Sequence, residues 1–174
     1  MIARAASAVE TSRLLLRRFT LDDAQSYHPL VSLPEVIRYT GEQPQQSLDE
    51  ARQILLTRPL RDYDVHGFGR MACIEKETGR LVGFCGLKYL EDLHEVDIGY
   101  RFLPETWGKG YATESCLTVL AQADKAAVEK VIGLVEPENK ASVRVLTKIG
   151  LRLERKIELQ DHPGELDLYV RWMT

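Results

Sequence analysis

Apolar and polar positions alternate along this chain in a way that predicts a mixed α/β order. Arg13-Leu-Leu-Leu-Arg-Arg-Phe19 reads as a first strand, and Thr20 then serves as N-cap for a helix running to about His28, where Pro29 interferes. Leu33 to Ser47 holds two prolines and a glycine and reads as an irregular, exposed loop. Ser47 with Glu50 is a capping-box signature for a helix carrying Ala51, Ile54 and Leu55 and ending before Pro59. Phe68 to Glu75 and Arg80 to Leu90 are apolar runs joined by Lys76-Glu-Thr-Gly79, the pattern of a β-hairpin. After a turn at Glu91-Asp92-Leu93 comes a strand, Val96 to Leu103, and a helix from Tyr111 to Val128. The β-branched run Val131 to Val135, a helix from Lys140 to Lys148 ended by Gly150, and strands over Leu151–Leu159 and Leu166–Trp172 complete the pattern. It predicts one domain over residues 11–174, after a loosely ordered lead-in at 1–10. Its first half is antiparallel and a βαβ unit sits at its centre.

Composition narrows the class. At 174 residues, 44% hydrophobic and 28% charged, the chain suits one soluble domain. A net charge of −3 gives no basic footprint for nucleic acid or for an anionic membrane surface. No apolar stretch approaches the roughly 20 residues that span a bilayer, and the N-terminus lacks the long apolar segment of a signal peptide. The three cysteines, Cys73, Cys85 and Cys116, form no CxxC, and His66, His94 and His162 show no metal-binding spacing. A cytoplasmic protein without a metal site is the expectation.

One octet carries more chemistry than the rest: Trp107-Gly-Lys-Gly-Tyr-Ala-Thr-Glu114, between the strand ending at Leu103 and the helix opening at Tyr111. A glycine turn feeding a helix N-terminus offers unpaired N–H groups and the positive end of a dipole, suited to phosphate. The same residues also admit a dinucleotide fingerprint, with Glu136 as the acidic partner. Against that, Thr113 stands where a third glycine belongs, and four residues separate strand from turn.

Three other segments stand in series with the octet: Asp97-Ile-Gly-Tyr100 before it, then Asn139-Lys-Ala-Ser142 and Lys148-Ile-Gly-Leu151 after it. Together with Thr11-Ser12-Arg13-Leu14-Leu-Leu-Arg17 and Asp167-Leu-Tyr169, the series resembles the GNAT superfamily of acyl-CoA-dependent N-acyltransferases, and within it the Rim-type branch that acetylates ribosomal-protein N-termini. The resemblance implies a central, mostly antiparallel sheet with splayed parallel strands and about four helices. It further implies acetyl-CoA as co-substrate, held through Gly108, Lys109, Gly110, Tyr111, Ala112 and Thr113 at the pyrophosphate. Phe102, Leu103 and Asn139 would line the pantetheine. Trp107 replaces the superfamily's Gln or Arg, a mark of the branch. The acceptor is an amine, on a protein N-terminus or a small molecule.

Acyl transfer needs a neutral amine, donors for the oxyanion and a proton for the thiolate. Glu95 and Asp97 lie two apart on a strand and share a face, so either could serve as base or amine-binding carboxylate. Leu146 occupies the place where many relatives carry the tyrosine that protonates the thiolate, and Ser142 is the substitute the resemblance offers. The missing tyrosine also leaves open an acyl-CoA-binding protein without transferase activity. The loops Pro34–Tyr39 and Asp161–Glu165, the latter with Asp167 just beyond it, are expected beside the acceptor.

Overall fold

The computed structural model describes residues 7–125 and 127–173. Of the expected lead-in, residues 1–6 lie outside that range, while Ala8–Glu10 form a strand, β1, antiparallel to Leu14–Arg17 (β2). The remaining strands are β3 (Arg70–Glu75), β4 (Leu81–Leu90), β5 (Glu95–Phe102), β6 (Lys130–Val135), β7 (Arg152–Glu158) and β8 (Glu165–Trp172). They build one sheet in the order β1-β2-β3-β4-β5-β6-β8-β7. Every neighbouring pair is antiparallel except β5 and β6.

The β5–β6 pair sets up the site. Their parallel register rests on Asp97↔Ile132, near the start of β5, and the strands part beyond it. The other edge of β5 stays paired with β4 from Glu95 to Phe102. The last residues of β5 therefore present backbone to a gap rather than to a strand.

Helices cover both faces. On one side α5 (Tyr111–Lys125) packs Tyr111, Cys116, Val119 and Leu120 against Cys85, Ile98 and Phe102. On the other, α1 (Ala24–Ser32) and α3 (Leu48–Leu55) bury Tyr27, Leu30, Ala51 and Leu55 with Ala72 and Leu81. A short α2 (Pro34–Ile37), α4 (Arg61–His66) and α6 (Lys140–Lys148) make up the rest.

Two prolines behave differently from their sequence signal. Pro29 lies inside α1, and the helix runs on to Ser32. An interior proline costs about 3 kcal/mol, but Leu30 and Val31 just after it are fully buried, and each such side chain returns about 1.5–3 kcal/mol. α3 itself stops at Leu55, before Pro59 as expected, yet helical structure continues: Leu56–Leu60 form a π-turn that contains Pro59, and the chain runs on as α4 until Gly67 caps it at φ +79°. Likewise 33–47 is not wholly an exposed loop, since α2 forms within it and Ile37 is buried. The helix after the octet ends at Lys125, short of the expected Val128.

Candidate active site

After β5 the chain makes one 3-10 turn, Pro104–Thr106, before the octet. Gly108 (φ +78°) and Gly110 (φ +82°) are left-handed, a conformation that L side chains rarely adopt. A Cβ on Gly108 would meet nothing within 4 Å, and one on Gly110 only an Arg13 guanidinium nitrogen at 3.6 Å. Packing leaves this space open, so the first-turn N–H groups of α5 face a cleft. The helix end is held from below. Glu114 accepts the Arg13 backbone N–H at 3.0 Å and its Nε at 2.7 Å, along with the Thr11 hydroxyl. That contact explains why a Thr-Ser-Arg segment 101 residues upstream of Glu114 accompanies the octet.

The cleft is a cavity of about 470 Å³ running from Gly108 and Gly110–Thr113 along Tyr100 and Phe102 to Asn139 and Ser142. Asn139 caps α6: its Oδ1 accepts the Ser142 N–H at 3.2 Å, leaving the side-chain amide N–H groups for the cleft. The Ser142 and Tyr100 hydroxyls are 2.7 Å apart, and Tyr100 also reaches the Ser142 carbonyl at 3.1 Å. Burial pushes the Tyr100 phenol far above its ordinary pKa, so it stays protonated and able to donate.

Four expected coenzyme contacts, Phe102, Leu103, Lys109 and Tyr111, are engaged within the protein. Trp107 Nε1 donates to the Phe102 carbonyl at 2.8 Å, across the mouth of the gap. Lys109 pairs with Glu75 at 3.5 Å. Tyr111 is buried and donates its hydroxyl to the same carboxylate at 2.6 Å. Lys109 and Tyr111 therefore stand in the cradle through their backbone, not their side chains. Leu103 is buried, with its N–H on the Val82 carbonyl at 2.9 Å.

Asp97 and Glu95 do share a face of β5, but neither residue lines the cleft. Glu95 pairs with Lys130 at the start of the strand. Asp97 is buried and pairs with Arg70. Burial pushes its carboxyl up, against the pull of the guanidinium. Arg70 also donates to the carbonyls of Gly86 and Asp97, the latter at 3.0 Å. Neither carboxylate is hydrogen-bonded to the Ser142–Tyr100 pair. Asp167 pairs with Lys156 at 3.6 Å and Glu165 with the same lysine at 2.7 Å, away from both cavities.

A second cavity, of about 240 Å³, opens on the Asp97 face of the sheet beneath Arg58 and Asp62. Its lining includes Glu42, Arg70, Lys88, Gly99, Tyr100 and Arg101. Tyr100 and Arg101 line both cavities, so the two share a wall there.

A splayed β5–β6 pair, a diglycine cradle at a helix start and a hydroxyl pair beside the gap form one arrangement, and residues 13–152 match the acetyltransferase (GNAT) domain family. The chain belongs to the GNAT acetyltransferase family. It is an N-acetyltransferase of mixed α/β fold, a class that moves acetyl groups to amines. Over 148 residues it is 31% identical to the uncharacterized N-acetyltransferase YoaA of Bacillus subtilis, covering 84% of this chain and 83% of that one. Among solved structures, spermidine N-acetyltransferase from Vibrio cholerae in complex with CoA and spermine superposes with a TM-score of 0.76 at 19% identity, covering 93% and 96%. The ribosomal-protein-S5-alanine acetyltransferase of Vibrio fischeri does so at 0.73 and 17%, covering 96% and 97%. The Rim-type resemblance therefore extends to the fold of this GNAT chain.

Glu42, Asp62, Arg70 and Lys88 escaped the sequence reading. Arg70 and Lys88 carried the one available signal, a lone cation inside an apolar strand run. Among the described residues no cluster of three His, Cys, Asp or Glu is placed to hold a metal, and no helix is long and apolar enough to cross a membrane.

Proposed function

We propose that this GNAT protein transfers the acetyl group of acetyl-CoA directly to a primary amine in a ternary complex, with residues 11–174 acting as one catalytic domain. The carrying observation is that two cavities have Tyr100 and Arg101 in common in their walls. A thioester lying along β5 and an amine entering from the opposite face would converge there, with no covalent enzyme intermediate.

In this reading the backbone N–H groups of Gly108–Thr113 hold the pyrophosphate, where glycines permit close approach. Phe102, Leu103 and the Asn139 amide flank the pantetheine. The Ser142–Tyr100 pair supplies a proton to the departing thiolate, which answers for the tyrosine missing at Leu146. Asp97 serves by holding Arg70 on the floor of the acceptor cavity, and Glu95 by tying β5 to Lys130. An α-amine with a pKa near 8 is about one-tenth neutral at pH 7 and needs little help from a base. The carboxylates facing the acceptor cavity are Glu42 and Asp62. A cytoplasmic setting fits the free, buried cysteines at 73, 85 and 116.

The test is thiol release from acetyl-CoA against a panel of peptides, polyamines, amino acids and aminoglycosides, alongside calorimetric titration with acetyl-CoA. Amine-dependent thiol release with an acetylated product supports transfer. Binding of acetyl-CoA without release by any amine would instead make this an acyl-CoA-binding protein.

A further inference from the structure

The floor of the acceptor cavity is a stripe of cations built by strand register. Arg70 of β3, Gly86 of β4 and Gly99 of β5 stand side by side in one row. The next rows hold Ala72, Phe84 and Arg101 on one side and the pair Lys88–Asp97 on the other. Two-residue steps along a strand put Arg101, Arg70 and Lys88 in successive rows roughly 7 Å apart on one face. Arg58 joins them from the π-turn overhead.

The counter-charges are unequally shared. Glu42 pairs with Arg58 and, at 3.0 Å, with Arg101. Asp97 takes Arg70. Lys88 is half-buried, and among the described residues no hydrogen bond or ion pair holds its ammonium. Asp62 is the carboxylate it feels most across the cavity, with Asp97 beside it and Arg70 and Arg58 opposing. Asp62 is itself buried, and its Oδ2 has no hydrogen-bond partner. Counting Arg58, Arg70, Lys88 and Arg101 against Glu42, Asp62 and Asp97 leaves one positive charge. A half-buried ammonium without a partner carries a desolvation cost that a bound anion would relieve.

We propose that the acceptor of this enzyme is a small amine that carries a carboxylate, of the amino-acid class, with Lys88 as the residue that binds the carboxylate. This rests on the acetyl-transfer reading of the same site. The cavity of about 240 Å³ suits a molecule of that size. Its aromatic walls at Phe19, Tyr27 and Phe84 give the acceptor's side chain an apolar surface. A polycation such as spermidine would meet Arg58, Arg70, Lys88 and Arg101 with like charge.

The experiment compares L-glutamate, L-methionine and L-phenylalanine with their carboxamides, and with spermidine, as acceptors and as ligands of the CoA-loaded protein by calorimetry. The expectation is that at least one amino acid surpasses its carboxamide by tenfold or more in both kcat/KM and affinity. Lys88→Met should remove that difference while acetyl-CoA affinity and Tm hold, and Lys88→Arg should restore it. Equal use of acid and amide, preference for spermidine, or discrimination that survives Lys88→Met would each overturn the inference while leaving the transferase reading intact. If no amine releases thiol, the transferase reading fails, and the binding arm still decides whether the cavity selects a carboxylate.

Discussion

The guanidinium of Arg70 lies flat over Gly99, so that a Cβ on Gly99 would collide with it. The Asp97-Ile-Gly-Tyr100 segment thereby gains a physical meaning. Asp97 anchors Arg70, Gly99 makes room for it, and Tyr100 points through to the opposite face to meet Ser142. Gly99→Ala is expected to cost about 1–3 kcal/mol through overpacking and to slow transfer by displacing Arg70. Thermal denaturation and steady-state rates check this, and a fully active variant of unchanged Tm would remove Arg70 from the site.

Asp97→Asn removes one partner of a buried ion pair, which costs about 3–5 kcal/mol. A thermodynamic cycle with Arg70→Met separates positioning from proton transfer. If Asp97 acts only by holding Arg70, Asp97→Asn adds little further rate loss once Arg70 is methionine. A second full loss in that background would restore Asp97 as the base.

At the coenzyme end, Gly110→Glu should abolish acetyl-CoA binding, because it puts a carboxylate where the proposed cradle would hold the pyrophosphate. Gly110→Ala meets no steric obstacle beyond the Arg13 nitrogen at 3.6 Å, but its φ of +82° costs about 1–2 kcal/mol. It should weaken binding only partly. Calorimetry on both variants reads this, and unchanged affinity in the glutamate variant would move the phosphate site elsewhere.

Tyr100→Phe and Ser142→Ala each remove one member of the hydroxyl pair. Each should lower kcat about tenfold or more, within the range of general acid catalysis, with coenzyme affinity changed less than threefold. Pre-steady-state thiol release is the suitable readout, since it isolates the bond-breaking step. Wild-type rates in both variants would dismiss the pair.

Glu42 offers a test by pH. Although burial raises its carboxyl, Arg101 and Arg58 together bring it below the ordinary glutamate value. A carboxylate lowered on folding adds stability above its unfolded pKa of about 4.3 and loses that stability as pH falls through the lower folded value. Glu42→Gln should therefore be less stable than wild type near pH 7, with the gap closing below about pH 4. Denaturant unfolding at several pH values measures it, and a constant gap would show that charge is not what Glu42 contributes.

Local signals read well along this chain. Lys140–Lys148 is the α6 that forms, because the Asn139 cap and the Gly150 stop lie within its own flanks. Ser47 caps α3 through the Glu50 N–H at 3.2 Å for the same reason. The cradle was equally legible, since left-handed glycines before a helix are a property of a few consecutive residues. Where tertiary burial overrode local preference, the reading failed. Pro29 sits inside a helix just before the buried Leu30 and Val31, and Pro59 is itself buried within a helical segment.

The acceptor side was not legible, and the reason is distance along the chain. Sequence placed Asp97 and Glu95 on one face of a strand, which is correct, because alternation is local. What Asp97 does there depends on Arg70, 27 residues earlier, whose sheet row through Gly86 and Gly99 lies one step along from the row that holds Asp97. Register decides such neighbours, and register follows from the packing of the whole sheet. The sequence by itself determined the family, most of the element order and the glycine turn ahead of α5, all built from short-range patterns. Only the tertiary structure decided which carboxylates are spent on arginines, that the half-buried Lys88 has no partner among the described residues, and that two cavities share Tyr100 and Arg101 in their walls.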